Sequence, residues 1–153
     1  MIRHIFFLLL FCGALFAGDQ KPENKIKVKL NKSEKRVFFE EMVAMDVAVR
    51  NIASMLALND YFHMKLSFIE LSVYKNSESP YNKSNLNKVI GKLKAKKFSL
   101  FMENIQKESV SAIQFIDTEL KPEAETNNQI LVEKFEAILK NCQGCHSVMA
   151  VTD

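Results

Sequence analysis

The sequence predicts an all-α fold, an antiparallel four-helix bundle with a cysteine-bearing motif ending its last helix. Three observations support this. Apolar residues recur at steps of three and four along most of the chain after residue 33, the rhythm of helices that each bury one stripe. The first two helices are joined by only Asn59 and Asp60, a connection so short that they must run antiparallel. About 135 residues follow a removable leader, enough for one domain with a real core and too few for two.

The leader is 1–18. Arg3 and His4 precede the apolar run Ile5 to Phe11, which continues to Phe16 before the small residues Ala17 and Gly18, the pattern of a secretory signal. The run is shorter than the ~20 residues a membrane span needs. Cys12 follows the bulky Phe11, so it is expected to leave with the signal rather than carry a lipid. Loss of Arg3 lowers the formal charge from +3 to +2, an excess that makes no case for nucleic acid. Residues 19–32 read as a flexible linker. Lysines alternate there with Ile26, Val28 and Leu30, a strand-like pattern, but no partner strand is evident elsewhere.

The domain proper is 33–153. Its first helix starts at a capping box of Asn31 and Glu34, with Ser33 as the alternative cap, and runs to Leu58. Its stripe is Phe38, Met42, Met45, Val49, Ile52 and Leu56. Asn59-Asp60 ends it and caps a second helix, about Tyr61 to Lys75, with Phe62, Leu66, Ile69 and Val73 inward. A polar loop from Asn76 to Asn87 contains Pro80. A third helix spans about Lys88 to Glu119, with Ile90, Leu93, Phe98, Phe101, Ile105, Ala112 and Ile116 inward, and Lys121-Pro122 stops it. Gly91 weakens its start by ~1 kcal/mol relative to alanine. Past a polar turn from Glu123 to Asn127, the fourth helix begins near Asn128. It places Leu131, Phe135, Ile138, Cys142 and Cys145 on its core seam.

Asn141-Cys142-Gln143-Gly144-Cys145-His146 contains C-x-x-C-H, the pattern by which a c-type haem is attached. Thiols three positions apart share one face of a helix, each able to form a thioether with a haem vinyl group. His146 then offers an imidazole nitrogen to the iron as proximal ligand. Three other chemistries use C-x-x-C. A zinc site needs further ligands, and the chain has no second C-x-x-C and no H-x-x-x-H. A thioredoxin-like dithiol normally opens a helix after a strand, whereas this motif closes one. A structural disulfide across so short a loop brings little stabilisation.

An exported four-helix bundle of this size, with Cys142, Cys145 and His146 ending its last helix, resembles the class II cytochromes c, the family of cytochrome c′ and its low-spin relatives. The resemblance spans the chain after the linker. It implies one covalent haem c held near one end of the bundle. A first-helix residue covers the distal side, a methionine in low-spin members. The run Met42-Val43-Ala44-Met45 resembles that first-helix pattern, Met42 falling nearest the ligand position and Met45, one turn on, being the alternative. Asn59 stands where the family has glycine, and asparagine also accepts a left-handed helix end.

By this resemblance the protein is a periplasmic monohaem cytochrome that passes single electrons through a His/Met-ligated low-spin iron, and is not an enzyme. Without the methionine ligand, the same bundle becomes a five-coordinate binder of nitric oxide or carbon monoxide. A thiol–disulfide oxidoreductase working through the C-x-x-C is the alternative from another class. The first helix offers no acid or base along its seam for haem catalysis. Arg36 and Arg50 are candidates to pair with haem propionates, as basic residues do in the family. Met55, Met64, Met102 and Met149 read as packing, and His63, one position after Phe62, as a rim residue. The basic region Lys83 to Lys97, with no acid between Glu78 and Glu103, is a candidate docking site for an acidic periplasmic redox partner. The family also makes homodimers through its first two helices.

Overall fold

A computed structural model describes residues 25–72, 83–96, 98–120 and 126–152. The expected signal at 1–18, Val73, the loop around Pro80, Lys97 and the expected Lys121-Pro122 stop lie outside the described residues. The chain is mostly helical. Its elements are β1 (Ile26–Lys29), α1 (Lys32–Leu58), α2 (Tyr61–Ser72), α3 (Lys83–Ala95), α4 (Ser99–Thr118), α5 (Thr126–Val148) and β2 (Met149–Thr152). Among the described residues no helix is long and apolar enough to cross a membrane.

The capping box at the head of α1 is present. Glu34 N–H donates to Asn31 Oδ1 at 2.9 Å and Asn31 N–H to Glu34 Oε2 at 2.8 Å, so two otherwise orphaned backbone donors are satisfied. Ser33 is not the cap; its hydroxyl donates to Asn31 Oδ1 instead. At the other end Asn59 adopts the left-handed conformation, φ 55°, and the Asp60 N–H donates to the Met55 carbonyl at 3.0 Å. Asp60 then accepts from the His63 N–H at 3.1 Å, which caps the first turn of α2.

Two apolar cores result. The larger one is built around Ala48, Ile52, Met64, Phe68, Leu131 and Ile138, all fully enclosed between α1, α2, α4 and α5. Within it α2 packs on α1 and α4, and α4 packs on α5. Tyr61 Oη donates to Asn128 Oδ1 at 3.0 Å, tying the α1–α2 turn to the start of α5. The second core joins Val28, Leu30, Phe38, Val89, Leu93 and Phe98, drawn from β1, α1, α3 and the head of α4.

Three expectations need correction. The stretch from Ile26 is not a mobile lead-in. It pairs in parallel with Met149–Thr152, Val28 opposite Val151, and the Leu30 N–H extends the ladder to the Thr152 carbonyl at 3.2 Å. Its partner is four residues, Met-Ala-Val-Thr, too brief for alternation to stand out. Second, the long third helix is two helices. Leu93 and Phe98 are both buried in the second core, yet positions five apart on a straight helix face about 140° apart. The break between α3 and α4 turns both inward. Third, the inward face of α2 is Met64, Ser67, Phe68 and Leu71, while Phe62 and Leu66 are exposed. Apolar residues surround α2, so two registers with the same four–three rhythm compete and packing selects one.

Candidate haem-binding cleft

The motif occupies the last two turns of α5, where helix and strand meet. Both thiols are half-buried. Cys142 packs against the larger core and Cys145 against the second, so the pair marks the seam between the two cores. Gly144, between them, is required by its neighbour: a Cβ there would stand 2.8 Å from the ring of Phe101. That contact holds α5 against the head of α4. It is reinforced by Asn104, whose side-chain amide donates to Asn141 Oδ1 at 3.2 Å.

Beside the motif lies an apolar cavity of about 110 Å³. Cys142, Cys145 and His146 line it from α5, and Met42, Met45 and Val49 line it from α1. Met102 and Ile105 of α4 and Leu139 of α5 complete the apolar walls. The structure therefore brings the motif and both candidate distal methionines to one place. The volume is below the roughly 300–1,000 Å³ of usual ligand sites. Three of its lining side chains are methionines, which give way to an incoming group with little strain. The donor set fits a haem: two thiols on one helical face, an imidazole in the next position, and thioether sulfurs on a different helix.

The electrostatics of the thiols are those of burial. Desolvation pushes the Cys142 thiol up, and Cys145 is pushed up to about 11, again by desolvation first and then by Cys142. The two are not bonded to each other. Among the described residues no group of three or more histidine, cysteine or acidic side chains is placed to hold a metal ion.

Two lining residues were missed in the sequence. Met102, read as packing, is four positions after Phe98 and three before Ile105, the same rhythm that places Ile105 inward. Asp46 also lines the cavity and accepts a hydrogen bond from Arg50. It corrects the expectation that α1 presents no acid near the site, and it stands four after Met42 and three before Val49. Arg50 thus adjoins the cavity through Asp46. Arg36 does not: it pairs with Glu40 at 3.6 Å and borders a separate depression with Asn31 and Ser33. His63 is exposed, pairs with Asp60 at 2.7 Å and does not line the cavity. Met55 and Met64 pack in the larger core and Met149 against the second.

No family model, curated protein or solved structure matches the chain.

Proposed function

We propose that this is an exported, periplasmic monohaem c-type cytochrome of the class II type, an electron carrier rather than an enzyme. The observation that carries this reading is the convergence of Cys142, Cys145 and His146 with Met42 and Met45 on one apolar cavity. Contacts at both ends of the helix pairs fit an antiparallel four-helix bundle: Asn59 and Tyr61 meet Asn128 while Met42 shares the cavity with Cys145, and Lys65 pairs with Asp117 while Ser72 accepts from Gln106.

Bound there, haem supplies a one-electron iron couple. The chain's residues do the rest. Cys142 and Cys145 would hold the group through thioether bonds, and His146 would offer a ring nitrogen to its iron. Met42 would offer it a thioether sulfur, which would favour the reduced state; Met45, one turn on and lining the same cavity, is the alternative donor. Val49, Ile105 and Leu139 exclude water. The raised thiols support this reading over thiol–disulfide exchange, which draws on lowered thiol pKa values.

Matured with a haem-attachment system, the protein should be red and keep its colour through acid–acetone extraction. Cys142→Ala with Cys145→Ala should release it; colour retained by the double variant, or lost on extraction from the wild type, overturns covalent attachment. Met42→Ala should convert a low-spin ferric spectrum to high-spin and, after reduction to the ferrous form, admit carbon monoxide. If only Met45→Ala does so, the donor is one turn further on. A wild type already high-spin removes the electron-carrier reading in favour of gas binding.

A further inference from the structure

Charge is segregated along this fold. Segments 25–36 and 83–97 hold twelve lysines and arginines against one acid, Glu34, while 37–82 and 98–152 hold seven against fourteen. The structure brings α3, the described helix of the second segment, against the first. Lys92 Nζ donates to the Lys29 carbonyl at 3.1 Å and to Glu34 Oε2 at 2.7 Å, joining α3, β1 and the head of α1 into one cap. Lys25 Nζ donates to the His146 carbonyl at 3.0 Å, so the cap abuts the haem motif. Lys27, Lys29, Lys32, Lys94 and Lys96 are exposed and form no ion pair with a described carboxylate; Lys88 is exposed too, and its charge acts on the Glu34 carboxylate that Lys92 pairs with.

We propose that this composite cap, β1 with α3 and the start of α1, is the docking face for an acidic protein that exchanges electrons at the motif end. The electron exchange rests on the haem reading above; the acid-binding face does not. Charge complementarity names the partner's chemistry. A lipid surface fits less well, because membrane-binding faces interleave lysines with inserting apolar side chains. Here Leu86, Val89 and Leu93 of α3 are buried, and Ile26 is the one exposed large apolar residue of β1 and α3. The β1 lysines extend the Lys83–Lys97 region across the chain to the side of His146, which sequence alone does not show. The acidic remainder of the molecule orients such a partner by repelling it elsewhere.

The test uses the full haem-loaded chain and poly-L-glutamate as probe. Binding followed by calorimetry should weaken at least tenfold between about 20 and 200 mM salt, as the Debye length shortens. Lys94→Glu/Lys96→Glu should lose at least tenfold in affinity, and the milder Lys94→Gln/Lys96→Gln should move the same way. Lys107→Glu/Lys140→Glu, an equal charge change off the cap, should stay within twofold. Equal losses from both charge-reversed pairs would mean net charge alone and overturn the proposal, as would absence of binding. Tighter binding to phosphatidylglycerol vesicles than to the polypeptide would replace the protein partner with a membrane. Oxidation of the ferrous protein by ferricyanide, one electron passing to give ferrocyanide, should slow with salt and in the Lys94/Lys96 pair only. If that rate ignores the cap while polyglutamate binding depends on it, the face is not the electron route. A chain with no ferricyanide reaction but intact polyglutamate binding would instead remove the haem reading and leave the acid-binding face standing.

Discussion

The body of the molecule and its cap are held by different means. The body, α1, α2, α4 and α5, rests on enclosed side chains such as Ile52, Phe68, Leu131 and Ile138. Each comes from a helix whose periodicity is local. The cap rests on a four-residue parallel ladder, one small apolar cluster and the buried Glu34 with its Lys92 partner. Its contacts join residues far apart in sequence, and two of the three, the ladder and the ion pair, are polar. The body is therefore expected to tolerate acid and salt that loosen the cap, and to suffer more from a lost apolar side chain.

The widest separation comes from core truncation. Phe68→Ala should cost about 3–5 kcal/mol of global stability by urea denaturation, the range for a fully buried aromatic, with the cap lost along with the rest. Val28→Ala, in the ladder, removes less apolar volume and should cost about 1–2 kcal/mol, with the first amide protection lost in β1 and β2 rather than in α1. A Phe68→Ala effect no larger than that of Val28→Ala would mean the two regions do not differ as described.

Acid should separate them next. The Lys92 ammonium, then the Asn31 N–H, hold the Glu34 carboxyl below its ordinary value of 4.5. A carboxylate lowered on folding stabilises the folded form above its unfolded pKa, and that contribution disappears as pH falls through the lower folded value. NMR signals of Val28 and Val89 should therefore begin to shift below about pH 4.5, before those of Phe68 and Leu131. Glu34→Gln should abolish that early phase. Simultaneous loss of both sets in the wild type would merge the two regions into one unit.

The two helical glycines offer a finer comparison. A Cβ at Gly91 meets nothing within 4 Å, so Gly91→Ala should raise stability by up to about 1 kcal/mol through helix propensity. At Gly144 the same change meets the Phe101 ring, and overpacking of about 1–3 kcal/mol should outweigh that gain. Opposite signs in thermal melts would confirm that the motif turn, unlike the solvent side of α3, has no spare room. The smallest effect concerns the thiols of protein prepared without haem attachment. Alkylation of Cys145 by iodoacetamide should keep rising with pH to about 11; a plateau near neutrality would revive the redox-thiol alternative.

How far the sequence could be read follows from where each signal lay. The capping box at Asn31 and Glu34, the left-handed Asn59 and the α5 seam from Leu131 to Cys145 were legible, because each is a local rule satisfied within a few residues. The β1–β2 pair was not. Its pattern was visible at Ile26, Val28 and Leu30, but its partner is four residues at the other end of the chain. The inward face of α2 was misread because Phe62 and Met64 are both apolar, so composition alone cannot choose between them. At the site, Cys142, Cys145, Met42 and Met45 were named in advance. Met102 and Asp46 were overlooked although both keep the four–three spacing, since one was assigned to packing and the other is charged.

The pairing of β1 with β2 also orders events in the making of this protein. The five helices of the described residues all lie between the two strands in sequence, so β1 waits until they have been made for its mate. A nascent chain halted anywhere before Met149 presents β1 as an unsatisfied edge, with bare amide and carbonyl groups. Proteases that cut extended backbone would thereby distinguish a chain whose β1 is still unpaired from one in which the ladder has closed.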